Sequence, residues 1–243
     1  MSAMLCVFFG LLLGGAVGSA TGLGAMMIGL SILSMGIPTT DAVLVCCMTG
    51  AIGCFQLMWL YRKEVRWSEV RWMWLGCIPG CILGAYTLKI VPVHLLQIMV
   101  SVSIVGFVLL QLLGGKADYH IKDSAHSLGL AGFAGGFFHS SISVVGVPIG
   151  IFVLLKKWDR MHAMGAMSMF YFLSGWITMA SQWGAGLYRM DLVGLAIAGL
   201  VGQLLGQQIG FRLGKHLDQR LFKRFVLLFL SVSAVTLFYK ALW

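Results

Sequence analysis

Charged side chains are scarce in this chain of 243 residues: Asp, Glu, Lys and Arg together supply 10% of it, against 59% hydrophobic residues. An ordinary soluble domain carries roughly a quarter charged residues. The shortage excludes a soluble globular protein, and no stretch is left over to form one. The longest interruptions between apolar blocks, 62–71, 116–126 and 212–224, are short linkers.

Acids are scarcer still, and their positions matter more than their number. Asp41, Glu64, Glu69, Asp118, Asp123, Asp159, Asp191 and Asp218 all fall at block ends or in loops. No carboxylate is left deep in an apolar block to relay protons, as many pumps require. The six cysteines (Cys6, Cys46, Cys47, Cys54, Cys77, Cys81) form no CxxC and no Cys/His spacing, which excludes a zinc-type site. Their place within or beside apolar blocks fits free buried thiols, with no metal and no cofactor expected. The first block lacks a basic n-region and a convincing cleavage site, so it is expected to be mature structure and not a secretory signal.

What is present in abundance is apolar length. The blocks run 1–40, 42–61, 72–88, 90–115, 127–155, 163–188, 192–211 and, less cleanly, 225–239. Several meet the span of about 17–25 residues that crosses a bilayer. The expectation is an all-α, multi-pass integral protein of the cell (inner) membrane, with the lipid bilayer as its first partner. The formal net charge of +9 gathers in short loops such as "YRKEVRWSEVRW" at 61–72, an interfacial anchor of basic residues and tryptophans. No recognition helix or stacking platform accompanies it, so no nucleic acid is expected.

The chain repeats itself. A shift of 121 positions brings Gly14-Gly15 onto Gly135-Gly136, Gly29 onto Gly150 and Ala42 onto Ala163. One residue further, Gly80 and Gly84 fall on Gly202 and Gly206, and "HLLQ" from His94 falls on "HLDQ" from His216. We expect a first membrane repeat over 1–113, a linker over 114–126 and a second repeat over 127–243. Gly76, Gly80 and Gly84 are spaced for close helix contact, within one chain or between copies of a homo-oligomer.

Charge tests the topology. If every block crosses once, eight Lys and Arg lie on one side and nine on the other, with no bias. The first block of each half is also too long: at 1.5 Å per residue it would make a helix of roughly 45–60 Å, against a core of about 30 Å. If each instead dips in and returns on the same side before three true spans, the halves are inverted, both termini lie outside and the count becomes fourteen against three. A kinked full span in each half is the rival reading.

A break at membrane depth must be buried in protein or line a wet cavity. Inverted repeats bring two such breaks together, with half-helix N-termini offering N–H groups to an anion. The candidate binding residues are therefore His139, Ser140, Ser141 and Ser143 in "GGFFHSSISVVGVP" (135–148), with Gly18, Ser19, Thr21, Gly22 and Gly24 at the matching place in the first half. Gln203 and Gln207 share a helix face and are candidates for the same cavity, while Gln182 lies in the same set of later blocks. Each serine has a helix-bonding alternative, but an ionisable His139 inside an apolar block is a functional hypothesis by default. Met26-Met27 and the methionines from Met164 read as packing.

A glycine-rich first segment, the turn "GIP" at 36–38, a helix ending in basic residues and one recurrence of the pattern make the whole chain similar to the sulfite exporter TauE/SafE family of membrane transporters. Members carry a GxGGG-like run followed by a proline in each half. Here the copies read "GSATGLGAM" and "HSSISVVGVP": Gly18 and Pro148 match, while His139 and the segment Ser141–Ser143 stand where glycines are expected. The resemblance implies a secondary permease moving a small sulfur-containing anion such as sulfite or an organosulfonate, without a nucleotide-hydrolysing subunit. A carrier or channel for another small solute such as a carboxylate, and a non-transporting membrane scaffold, remain alternatives. Enzymatic hydrolysis is not expected, because His139, next to Ser140 in sequence, is not placed across from its hydroxyl to take the proton, and the blocks offer no other deep histidine.

Overall fold

The computed structural model describes residues 2–21, 25–113, 124–156, 158 and 160–213, together with 231, 235, 238 and 239. Its elements are α1 (Ser2–Thr21), α2 (Ala25–Gly36), α3 (Thr39–Tyr61), a 3-10 turn at Arg62–Glu64, α4 (Trp67–Ile90) and α5 (Val93–Leu113). They continue with α6 (Ala125–Ile142), α7 (Gly146–Lys156), α8 (Arg160–Gly184) and α9 (Asp191–Leu213). No strand occurs among the described residues. The block 225–239 and the HLDQ match lie almost wholly outside them. Helices α3, α4, α8 and α9 are long and apolar enough to cross a bilayer. Large apolar side chains face outward along them, Trp59, Ile82, Trp176 and Ile197 among them, as a lipid-facing surface requires.

The two over-long blocks each break and double back. A Cβ on Gly36 would strike Cys6, one on Gly10 would strike Leu33, and one on Gly14 would strike the backbone of Ala25 and Gly29, so α2 runs antiparallel against α1. The Cys6 thiol donates to the Ile32 carbonyl at 3.4 Å. In the same way Ile149 and Phe152 of α7 share a cluster with Leu128 and Ala131 of α6. From Ala25 to Gly146, the starts of α2 and α7, is 121 residues (146 − 25), and from Thr39 to Arg160, the starts of α3 and α8, is again 121 (160 − 39).

The double glycines are not the breaks. Gly14-Gly15 lie inside α1 and Gly135-Gly136 inside α6; each helix runs on to end at Thr21 or Ile142. These glycines admit neighbours instead: Gly15 meets the Gln203 carbonyl of α9 and Gly136 the backbone of Cys77 in α4. At the second break Ser143 takes φ 57°, ψ 25°, the one non-glycine with positive φ among the described residues. Its N–H caps α6 by donating to the His139 carbonyl at 2.9 Å. Pro148 sits in the first turn of α7, where a missing N–H costs nothing. Because left-handed backbone penalises branching at Cβ, Ser143→Val should lower unfolding free energy by about 1–3 kcal/mol and Ser143→Gly should not, as read by thermal unfolding in detergent.

Two parallel helix pairs tie the fold together. Gly76, Gly80 and Gly84 of α4 lie against the backbone of Gly129, Phe133 and Phe137 of α6. Gly202, Gly206 and Gly210 of α9 lie against Phe8, Leu12 and Ala16 of α1. Packing therefore matches Gly76 with Gly202, a shift of 126 (202 − 76), where sequence alignment matched Gly80 with Gly202. The difference is one helical turn, which leaves the same face presented and so is invisible in glycine spacing. The contact prepared by Gly76, Gly80 and Gly84 lies within the chain. At the centre α3 and α8 cross antiparallel, Gly175 against Ala51 and Phe172 5.9 Å from Phe55.

Polar contacts close both ends of the bundle. At one end His162 Nε2 meets Glu69 at 2.7 Å and Gly165 packs on Glu64. At the other Lys89 donates to the Ala185 carbonyl at 2.7 Å, and Arg189 bridges Asp41 and Asp191, each at 3.1 Å.

Candidate functional site

The two breaks meet around one cavity of about 80 Å³, room for several water-sized groups at about 10–15 Å³ each. Gly15, Gly18 and Ser19 of α1 and Ala25, Met26 and Met27 of α2 form one wall. His139 of α6 and the run Ser143, Val144, Val145, Gly146 form another. Gly50, Cys54 and Leu57 of α3, Tyr171 of α8, and Gln203 and Gln207 of α9 complete it. Both short helices thus begin at the cavity. Their first turns hold N–H groups without intrahelical partners and the positive ends of the helix dipoles.

The side chains supply the rest. His139 is 4% exposed and its Nδ1 lies 2.9 Å from Ser174 Oγ, whose hydroxyl donates to the Tyr171 carbonyl at 3.2 Å. One hydroxyl carries one proton, so both bonds form when His139 Nδ1 carries the imidazole proton. Nε2 is then a lone-pair acceptor. Gln207 Nε2 donates to the Gly53 carbonyl at 3.3 Å. The Oε1 atoms of Gln203 and Gln207 are buried with no hydrogen-bond partner. The Ser143 hydroxyl is likewise buried without a hydrogen-bond partner, with the Cys47 thiol nearby. Among the described residues no Asp, Glu, Lys or Arg lines the cavity. No group of three metal-ligating residues occurs among the described residues.

Two doubled-back segments thus border one largely apolar cavity that holds a few polar groups and, among the described residues, no charged one. Residues 6–237 match the family described as Sulfite exporter TauE/SafE. The chain belongs to that family. It is a multi-pass membrane protein of a transporter family. No curated protein and no solved structure gives a match.

Within this TauE/SafE chain the candidate residues divide. His139, Ser143, Gly18, Ser19, Gln203 and Gln207 come together on the cavity. Thr21 ends α1 at the first break, and Gly22 and Gly24 lie outside the described residues. Ser140 and Ser141 sit off the cavity: Ser140 packs on Gly84, and the Ser141 hydroxyl donates to the Phe137 carbonyl at 2.7 Å. Tyr171, Cys54, Gly50 and the methionines 26 and 27 were not among the candidates. The 121-residue shift held the signal for two of them, since it carries Gly18 onto His139 and Gly50 onto Tyr171.

Gln182 is a staple behind the site. Its Nε2 donates to the Ser140 carbonyl at 2.8 Å, and its Oε1 accepts from Tyr188 at 2.7 Å. Gln182→Leu orphans both partners, at about 1–3 kcal/mol each, and should lower unfolding free energy by about 2–4 kcal/mol in a denaturant or thermal titration.

Proposed function

We propose that this protein is a secondary permease for a small anion, a sulfur-containing one such as sulfite or an organosulfonate, bound between the two breaks near the bilayer midplane. The observation that carries the reading is the cavity itself: two helix N-termini, a histidine and two buried, unpartnered glutamine oxygens converge on one small space in a TauE/SafE chain. A scaffold has no use for buried acceptors left without partners, each of which costs stability.

Transport proceeds by alternating access between two inverted repeats, each a re-entrant hairpin followed by three spans. The equal 121-residue spacings of α2 with α7 and of α3 with α8 support the repeat. The hairpins support the inversion. With them, Arg62, Lys63, Arg66 and Lys156 share the end of the bundle at which Glu64 packs on Gly165, leaving Lys89 and Arg189 at the other. By the positive-inside rule the first end is cytoplasmic.

Thermal unfolding of the detergent-purified protein with sulfite, thiosulfate, small sulfonates, carboxylates and simple cations tests the reading. A ligand at about a hundred times its dissociation constant stabilises the folded state by roughly 2.7 kcal/mol. A shift with a sulfur oxyanion or sulfonate supports the proposal. A shift with carboxylates alone moves it to another solute, and no shift with any anion sinks it.

A further inference from the structure

The cavity is poorly furnished for a bare dianion. An oxyanion needs donors, and those at the cavity are neutral: backbone N–H groups at the starts of α2 and α7 and the Ser143 hydroxyl, which is buried without a hydrogen-bond partner. Beside them stand two buried acceptors without partners, Gln203 Oε1 and Gln207 Oε1, each of a residue 2% exposed. Gln207 cannot turn its amide around without giving up its bond to the Gly53 carbonyl. His139 Nε2 accepts too, because the Ser174 and Tyr171 bonds hold the proton on Nδ1. Among the described residues no cation lines the space to offset negative charge.

We infer that the solute brings its own hydrogen-bond donor: a monoanion bearing an O–H or N–H, such as a protonated sulfur oxyanion or a hydroxy- or aminosulfonate. Its anionic oxygens face the helix N-termini, and its donor meets Gln203 Oε1, Gln207 Oε1 or His139 Nε2. This rests on the transporter reading of the same cavity. A protonated oxyanion also carries a proton across as part of the cargo, which suits a chain with no deep carboxylate. The titratable groups facing His139 are Cys47 and Cys54 of α3 and Tyr171 of α8, with Cys81 of α4 next to Cys47.

The test compares two sulfonates of equal charge and similar shape on the purified wild-type protein, by calorimetry or thermal shift. Hydroxymethanesulfonate carries a donor where ethanesulfonate carries a methyl group. The expected result is binding about tenfold or more tighter for the hydroxy compound, since a site built to pair with a hydroxyl rejects the analogue lacking it. In Gln203→Met/Gln207→Met the ratio collapses towards one; if that variant fails to fold, the wild-type ratio alone decides. A pH series at constant total sulfite supplies a second arm, corrected by the same series with ethanesulfonate for titration of the protein itself. Corrected binding should follow the protonated monoanion. Equal binding of the two sulfonates, or sulfite binding undiminished where the dianion predominates, overturns the inference and leaves the anion site standing. Binding of none of these anions removes the transporter reading for sulfur anions and the inference with it.

Discussion

Gly206→Leu is expected to cost more than about 3 kcal/mol and to leave little monodisperse protein after extraction into detergent. A Cβ at 206 would land on the carbonyl of Leu12 and near the N–H of Ala16, both backbone atoms that cannot rotate away. The only relief is to move α9 off α1. That movement also opens the contacts of Gly202 with Phe8 and Gly210 with Ala16, so one substitution unseats a whole seam. In lipid no hydrophobic force pulls the helices back together, because the tails are as apolar as leucine and association rests on close packing. Gly80→Leu should behave alike through Phe133. Gly184→Ala is the control: nothing lies within 4 Å of its added methyl group, and its melting temperature should stay within a degree or two of wild type. Equal melting of Gly206→Leu and Gly184→Ala would refute the close-packed seam.

His139→Ala is expected to abolish ligand-induced stabilisation, a loss of the full 2.7 kcal/mol or so at saturating anion. The imidazole links α6 to Ser174 of α8, and removing it leaves Ser174 with only the Tyr171 carbonyl. Without the ring the cavity wall loses an acceptor, and water can fill the emptied volume. The unliganded variant should melt only modestly lower, by about 1–3 kcal/mol of unfolding free energy. Ser174→Ala separates the two roles. It keeps the ring and frees its tautomer, so affinity should fall by about tenfold, with melting close to wild type. An undiminished ligand shift in His139→Ala would place the binding site elsewhere.

Much of the fold was legible because membranes simplify it. Block lengths placed α3, α4, α5, α8 and α9, and the internal shift of 121 recurs in the structure between the starts of α2 and α7 and of α3 and α8. The breaks were harder to place. A Gly-Gly pair signals either a bend or the close approach of a neighbour, and only the neighbour decides: Gly15 has α9 and Gly136 has α4, so both remained helical. Ser143 in the left-handed region could not be read at all, since serine rarely goes there unless its surroundings require it. Within the site, polar residues were overread where their own helix satisfies them, as Phe137 does for Ser141. Apolar-looking wall residues such as Cys54 and Tyr171 were underread, because a stripe of such side chains looks the same whether it faces a neighbour or a cavity.

The pairing of α1 with α9 also sets a clock on synthesis. Thr21 and Asp191 are 170 residues apart (191 − 21), so a ribosome adding about 5–20 residues per second needs roughly ten to thirty seconds to deliver the partner. Throughout that interval the first hairpin waits in the membrane with the face that will meet Gly202, Gly206 and Gly210 uncovered. A nascent chain of this design is most exposed to wrong partners early, and slowing translation between α5 and α9 lengthens that exposure.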